Sequence, residues 1–195
     1  MSDEQCKTAL LAIKGKMDLL IALPMGSGKS MIPMLASTLT SKTFAIVVPF
    51  ISLLEDWERC LKTARIFHRV FKLGMQTFAD TLIILAMTDI AVKSDFAEVV
   101  RRSFANGTWG GLVLDEVHEV FTSRDFWACM RSIWQIRRLG FPVIGMSGTI
   151  PVEMESSLRR ELCLVKNTVV IHWSSNRPKL KYVIDPPSTD TVLVH

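Results

Sequence analysis

Apolar residues in this chain fall into two alternating patterns. Continuous apolar runs, typical of strands buried on both faces, occur at residues 17–23, 43–48, 81–87, 111–115, 142–146 and 168–173, with a weaker strand signal at 65–71. Apolar residues at helical spacing predict helices over residues 4–14, 29–39, 51–61, 91–104, 124–138 and 152–164. This alternation predicts an α/β fold, in which a mostly parallel sheet carries helices on both faces and the crossovers are right-handed.

The last part of the chain departs from this alternation. Residues 174–179 have the composition of an extended linker, residues 180–184 predict one more strand, and residues 185–190 predict a loop. We therefore expect one domain over residues 1–173, followed by a linker segment at residues 174–195.

Composition narrows the class of protein. A chain of 195 residues that is 49% hydrophobic can form one domain with a full core. No apolar run reaches the roughly 18 residues of a transmembrane helix, and the acidic start lacks the order of a signal peptide. We therefore expect a soluble intracellular protein with no membrane partner.

A net charge of +4 permits nucleic-acid binding but does not establish it. The wide separation of the cysteines argues against structural zinc and against a disulfide framework: Cys6, Cys60, Cys129 and Cys163.

Residues 19–30 predict a phosphate-binding loop. Four apolar residues lead into a Pro/Gly-rich turn that ends in Gly-Lys-Ser, and helical spacing follows. Glycines let such a loop aim backbone N–H groups at phosphate oxygens, and the next helix adds its positive dipole end. Lys29 can reach the β- and γ-phosphates, and the hydroxyl of Ser30 can ligate Mg²⁺. The strict motif has glycine in place of Leu23, so a glycine-rich turn with a chance Lys-Ser is the alternative. The candidate nucleotide-binding residues are Pro24, Met25, Gly26, Ser27, Gly28, Lys29 and Ser30.

A second candidate site follows the apolar run at residues 111–114. Asp115 at the strand tip can hold the Mg²⁺ of a nucleoside triphosphate, and Glu116 can orient or deprotonate the attacking water. His118 follows three positions after Asp115 and is a candidate for a coupling role. The alternatives are a helix N-cap for the two acids and a structural role in the core for the histidine.

A third segment with the sequence Ser147-Gly148-Thr149 also follows a predicted strand. Ligands of parallel sheets bind at the carboxyl ends of the strands. We therefore expect the phosphate loop, Asp115 and these three residues at one edge of the sheet.

Taken in order, these motifs resemble the first RecA-like domain of superfamily-two helicases, and most of all the RecQ family. Residues 24–30 resemble motif I, which in these helicases commonly lacks the glycine at the position of Leu23. Residues 115–118 resemble motif II. Residues 147–149 resemble motif III, which links ATP hydrolysis to strand movement.

Three further segments extend the resemblance over nearly the whole chain. Gln5 resembles the glutamine of motif 0, which reads adenine. Residues 47–54, including Pro49 and Ser52, are similar to motif Ia, which contacts the nucleic-acid backbone. The Asn-Arg-Pro sequence at residues 176–178 favours RecQ over other helicase groups.

Two regions differ from the RecQ pattern. The aromatic-rich loop that senses single-stranded DNA in RecQ proteins is altered here, although Phe126 and Trp127 stand in a related place. These two aromatic residues can stack on bases or belong to the core. Trp57, which the helical spacing assigns to the core, stands where the family often has a glutamine.

The resemblance implies a RecA-like P-loop NTPase domain with ATP and Mg²⁺ as cofactors and DNA as a partner. It gives catalytic roles to Lys29, Asp115 and Glu116, and a coupling role to His118 with residues 147–149. A second RecA-like domain, beginning within residues 174–195, would supply an arginine finger and half of the DNA track. The expected location is the nucleus in a eukaryote and the cytoplasm otherwise.

Three other functions stay open. The chain could be a catalytically incompetent module, derived from a helicase, that holds nucleotide or nucleic acid. It could also be a lobe of an RNA helicase, because DEAH-type RNA enzymes share the spelling of motif II. A small-molecule kinase is disfavoured, because no lid segment follows the core.

Overall fold

The structure, a computed structural model, describes residues 3–172, except for residues 25, 79, 124–130, 132, 134, 135, 149 and 166 and the side chains of residues 3 and 4. The strands are β1 Leu19–Ala22, β2 Thr43–Val48, β3 His68–Val70, β4 Ile83–Met87, β5 Trp109–Leu114, β6 Val143–Ser147 and β7 Val169–His172. The helices are α1 Asp3–Lys14, α2 Met31–Thr40, α3 Ile51–Thr63, α4 Thr88–Ala91, α5 Ser94–Ala105 and α6 Glu155–Glu161. Short 3₁₀ helices span Val117–Phe121 and Val152–Met154.

These strands form a single sheet in the order β3-β4-β2-β5-β6-β1-β7, and every pairing is parallel. β6 therefore lies between β1 and β5. The register places Ala22 opposite Ser147, and Leu114 opposite Gly145. The carboxyl ends of β1, β6 and β5 are thus nearly level, as the predicted α/β fold requires.

Two hydrophobic clusters cover the two faces of the sheet. Alternate side chains of β1 enter different clusters, because successive residues of a strand point to opposite faces. One cluster contains buried residues of α5, such as Phe96 and Val100. The other contains residues of α1, α2 and α3, among them Trp57 and Leu61. The prediction of helices on both faces is confirmed.

Three predicted helices have different bounds in the structure. The helix expected at residues 91–104 is two helices, because α4 ends at Ala91 and α5 begins at Ser94. The helix expected at residues 152–164 is a 3₁₀ turn followed by α6, and the turn after α6 places Cys163 at φ 51°. The helix after the phosphate loop begins at Met31, two residues later than expected.

Parts of the sequence-based prediction fall outside the described residues. Of the helix predicted over residues 124–138, residues 131, 133 and 136–138 are described; the first four of these are helical and residue 138 is in a turn. The predicted linker and strand of residues 174–195 lie entirely outside. In the part of the chain that the structure describes, no helix is both long and apolar enough to cross a membrane.

A buried ion pair joins several strands at the edge opposite the predicted site. Asp18, directly before β1, is 2% exposed and accepts a hydrogen bond from Arg137. The same carboxylate accepts the backbone N–H of Val143 at 2.8 Å and that of Val165 at 2.9 Å. One side chain therefore connects β1, the start of β6 and the segment before β7.

Replacing Asp18 by alanine should lower the free energy of unfolding by about 3–5 kcal/mol, because the substitution leaves a buried guanidinium without its anion. Urea denaturation followed by circular dichroism measures the change. Glu98→Ala is the control, since Glu98 pairs with Arg102 on the surface at 2.9 Å and such pairs contribute about 1 kcal/mol or less. Equal losses in the two variants would contradict the structural role of Asp18.

Candidate nucleotide-binding site

The loop between β1 and α2 has the geometry of a phosphate cradle. Gly26 and Gly28 adopt φ values of +76° and +78°, which side chains with a Cβ rarely tolerate. The N–H of Ser27 donates to the carbonyl of Pro24 at 3.2 Å, which closes a tight turn. The N–H of Met31 donates to the carbonyl of Gly28 at 3.0 Å, which starts the first turn of α2. The loop residues Lys29 and Ser30 therefore directly precede this helix.

Gln5 on α1 packs against this loop. Its side-chain amide donates a hydrogen bond to the carbonyl oxygen of Ser27. A Cβ on Gly28 would lie 2.8 Å from the Gln5 Nε2 atom, so the contact requires glycine at this position. The hydroxyl of Ser27 is buried and has no hydrogen-bond partner among the described residues. Helix α1 thus contacts the loop through the side chain of Gln5.

Asp115 lies directly after β5 and is 6% exposed. Its backbone N–H continues the sheet by donating to the carbonyl of Val47 at 3.0 Å. The two carboxylate oxygens have different donors: the Trp57 indole N–H at 2.8 Å and the Glu116 backbone N–H at 3.0 Å. The sheet and α3 therefore hold this carboxylate in one orientation.

Burial raises the pKa of the Asp115 carboxyl above its usual value. The hydrogen bond from Trp57 lowers this pKa, the neighbouring charge of Glu116 raises it, and the Lys29 ammonium lowers it again. Burial thus outweighs the compensation that the hydrogen bonds and the Lys29 ammonium give this carboxylate. A divalent cation at this position would add to that compensation.

Glu116 adopts the left-handed backbone conformation, with φ 47° and ψ 50°. Its Oε1 atom lies 3.5 Å from the Lys29 ammonium. Its Oε2 atom accepts the hydroxyl of Ser147 at 3.3 Å and the backbone N–H of Gly148 at 3.4 Å. The unusual backbone turn thus directs the carboxylate across β6 to the phosphate loop.

His118 completes this group of contacts. Its Nδ1 atom lies 2.9 Å from the Ser147 hydroxyl and 3.2 Å from Glu116 Oε2. Its Nε2 atom lies 3.5 Å from a carboxylate oxygen of Glu119. A proton on Nδ1 satisfies both contacts of that atom, because Ser147 can then donate to Glu116 while accepting from the histidine. The histidine therefore connects the tips of β5 and β6.

Several of these groups line one cavity of about 330 Å³ at the carboxyl edge of the sheet. Its walls come from the phosphate loop, the β5 tip and the inner side of α3. The lining residues are Gly26, Gly28, Lys29, Ser30, Leu53, Asp56, Trp57, Cys60, Asp115 and Glu116. The Lys29 ammonium can pair with the oxygens of a phosphate chain. The Ser30 hydroxyl and the adjacent carboxylates of Asp115 and Glu116 are oxygen ligands that suit Mg²⁺. Asp115 and Ser30 are the residues that would hold this ion.

The other predicted residues fall into two groups. Pro49 follows β2 and Ser52 lies in the first turn of α3, at the same edge of the sheet but outside the cavity lining. The remaining four lie outside the described residues: Met25, Phe126, Trp127 and Thr149.

The sequence-based site omitted Trp57. Its place in an apolar helical stripe predicted a core residue, and the side chain is indeed only 5% exposed. The indole N–H nevertheless reaches Asp115, which is 58 positions away in sequence. The sequence feature that could have predicted this contact is a tryptophan in the apolar stripe of a helix beside the nucleotide-binding edge, because buried indole N–H groups usually have an acceptor.

A parallel sheet with a phosphate loop and an acidic strand tip at one edge is typical of a RecA-like nucleotide-binding domain. The sequence matches the DEAD/DEAH box helicase family over residues 2–157, and the chain belongs to this family.

Two solved helicase structures have a similar fold. The helicase domain of Pyrococcus furiosus Hef gives a TM-score of 0.57 at 17% identity, covering 89% of this chain and 38% of that one. The DUF1998 helicase MrfA gives a TM-score of 0.63 at 15% identity, covering 88% of this chain and 30% of that one. The chain therefore spans about a third of the length of these two proteins. No curated protein matches the sequence.

The raised pKa of Asp115 predicts a pH-dependent stability of the nucleotide-free chain. An acid whose pKa is raised in the folded state, as that of Asp115 is, stabilises the folded state fully below the unfolded-state pKa. This contribution to the free energy of unfolding is lost as pH rises through the folded-state pKa. Asp115→Asn stays neutral, so its free energy of unfolding relative to the wild type should increase over that pH interval. Urea denaturation at a series of pH values, without nucleotide or Mg²⁺, measures this difference.

The control for this series is Glu153→Gln, at an exposed carboxyl outside the cavity lining. Asparagine offers only one acceptor oxygen to the Trp57 and Glu116 donors, and this lowers the free energy of unfolding by an amount that does not depend on pH. The slope with pH is therefore the diagnostic quantity. A difference between Asp115→Asn and the wild type that is constant with pH would contradict the prediction.

Proposed function

We propose that the chain is the ATP-binding lobe of a RecQ-like, ATP-dependent DNA helicase. The observation that carries the nucleotide chemistry is the 3.5 Å contact between Lys29 and Glu116 across one cavity. It brings the phosphate-loop lysine within reach of the acid that follows Asp115. A nucleotide whose phosphates enter this cavity meets a cation, a metal-binding acid and a base together.

The contact between Lys29 and Glu116 suggests how nucleotide binding prepares hydrolysis. Without ATP, the Lys29 ammonium lies 3.5 Å from Oε1 of Glu116. Phosphate oxygens carry more negative charge, so the lysine moves towards the β- and γ-phosphates when ATP binds. Glu116 Oε1 then becomes free to accept a hydrogen bond from the attacking water. In this scheme the nucleotide itself releases the general base.

Mg²⁺ bound with ATP would neutralise charge that develops on the phosphates. Ser30 and Asp115 are the proposed ligands, Asp115 through water. Both line the cavity, and the poorly compensated carboxylate of Asp115 fits a cation there.

The contacts of His118 support a coupling role. The histidine and Ser147 both contact the Oε2 side of Glu116, so a displacement of the β6 tip would reorient the general base. We propose that Ser147, Gly148 and Thr149 transmit movement of this kind. Pro49 and Ser52, on the same edge of the sheet, are the proposed contacts to the nucleic-acid backbone.

The RecQ family and DNA as substrate rest on sequence features. The Asn-Arg-Pro sequence at residues 176–178 and the motif 0 glutamine, Gln5, favour DNA over RNA. The proposed domain covers residues 1–173, and residues 174–195 lead into a second RecA-like lobe. A catalytically incompetent module is the second candidate, because no arginine stands among the described residues that line the cavity, and related nucleotide hydrolases use an arginine finger for rapid turnover.

Lys29→Ala should weaken binding of ATP with Mg²⁺ by roughly 10- to 100-fold, because charge-assisted hydrogen bonds contribute about 1.5–3 kcal/mol each. Isothermal titration calorimetry measures the affinity. Lys42→Ala is the control, since Lys42 lies outside the cavity, beside the amino end of β2. Unchanged affinity in Lys29→Ala would remove the main support for the nucleotide site.

The 195 residues alone should bind ATP with Mg²⁺ weakly, hydrolyse it slowly and unwind nothing. An arginine finger in trans contributes about 10³–10⁵ in rate in related nucleotide hydrolases, and the proposed source of that residue is a second lobe. Phosphate release with and without single-stranded DNA measures this. Robust DNA-stimulated turnover by the purified chain would contradict the proposed requirement for a second lobe.

A further inference from the structure

The indole N–H of Trp57 donates a side-chain hydrogen bond to the Asp115 carboxylate. The Nε1–Oδ2 distance of 2.8 Å is that of a good charge-assisted hydrogen bond. Trp57 is 5% exposed and Asp115 is 6% exposed, so the bond is shielded from water. A bond in such surroundings holds its acceptor more firmly than one at the surface.

The hydrophobic core fixes the donor. Trp57 belongs to the cluster that also contains Leu54 and Leu61 of α3 and Val48 of β2. These neighbours restrict the ring to the position from which its N–H reaches Asp115. The packing of α3 therefore fixes the orientation of the Asp115 carboxylate through the hydrogen bond from Trp57.

The hydrogen bonds leave this carboxylate able to bind a cation. An ionised carboxylate has about four lone-pair sites, and the Trp57 and Glu116 donors occupy one on each oxygen. About two sites remain, and both Asp115 and Trp57 line the cavity. The indole thus orients the acid without blocking it.

A second buried tryptophan, Trp109, offers a comparison for Trp57. Trp109 is 4% exposed, and its Nε1 atom is buried with no hydrogen-bond partner among the described residues. Among the described residues, burial of an indole therefore does not by itself bring an acceptor for its N–H. The match between Trp57 and Asp115 calls for a role at the acid itself.

We propose that Trp57 is a positioning residue for the cation site, which it serves by holding the Asp115 carboxylate ready for Mg²⁺ delivered with a nucleoside triphosphate. The inference rests on the proposed nucleotide-binding function. Without the indole donor, the carboxylate is free to rotate and to form alternative pairs with Lys29. The cation then has to order the acid on binding, and its affinity falls.

The test compares ATP affinity in excess Mg²⁺ with ATP affinity in EDTA, by isothermal titration calorimetry on the full chain. In Trp57→Phe, the gain in affinity on adding Mg²⁺ should fall about 10-fold, because loss of a group that orients a metal ligand typically costs 10–100-fold in metal affinity. The affinity in EDTA should stay within about twofold of the wild type. Trp109→Phe, which deletes a similarly buried indole N–H that has no acceptor among the described residues, should change neither value.

Trp57→Gln separates the donor from the packing. Its side-chain amide can donate to Asp115 but fills less of the core, so it should recover Mg²⁺ dependence better than Trp57→Phe while being less stable to urea. A Mg²⁺ dependence that follows stability, with Trp57→Phe above Trp57→Gln, would overturn the positioning role. Normal Mg²⁺ dependence in Trp57→Phe would overturn it too, with the proposed function intact. Absence of ATP binding to the wild type would overturn the proposed function and this inference together.

Discussion

The site depends on the register of three parallel strands. Ala22 of β1 is level with Ser147 of β6, and Leu114 of β5 is level with Gly145. Two residues beyond Leu114, Glu116 therefore reaches the level of Ser147. Ser147 joins both neighbours, since its carbonyl accepts the N–H of Leu23 at 3.1 Å and its hydroxyl donates to Glu116 at 3.3 Å. A one-residue slip would send these side chains to the opposite face of the sheet.

Much of the fold follows from the sequence because its strands are buried on both faces. The apolar run at residues 43–48 coincides with β2, in which every residue is buried. Helix ends are less predictable. The break after Ala91 contains neither proline nor glycine, and Cys163 adopts φ 51°, which glycine or asparagine would normally signal. Tertiary packing determines such ends, and single-sequence patterns do not record it.

The candidate site was predictable to the extent that it consists of local motifs. The strand–loop–helix pattern indicated Lys29 and Ser30, and the acidic strand tip indicated Asp115 and Glu116. The contacts between motifs were not predictable, because they depend on which strands are neighbours. Trp57 illustrates the difference: its helical spacing correctly predicts a core position, but the acceptor of its N–H is known only once α3 is placed beside β5.

Three local departures from favourable structure lie at or beside the cavity. Asp115 is a buried carboxylate with a raised pKa, Glu116 occupies a backbone region that costs of order 1–3 kcal/mol, and the buried Ser27 hydroxyl has no partner among the described residues. A sheet with two apolar faces can stabilise a few such departures. Because folding alone would favour none of them, their convergence at one edge is best explained by a ligand that supplies the missing charge and hydrogen bonds. A nucleoside triphosphate with its cation provides both.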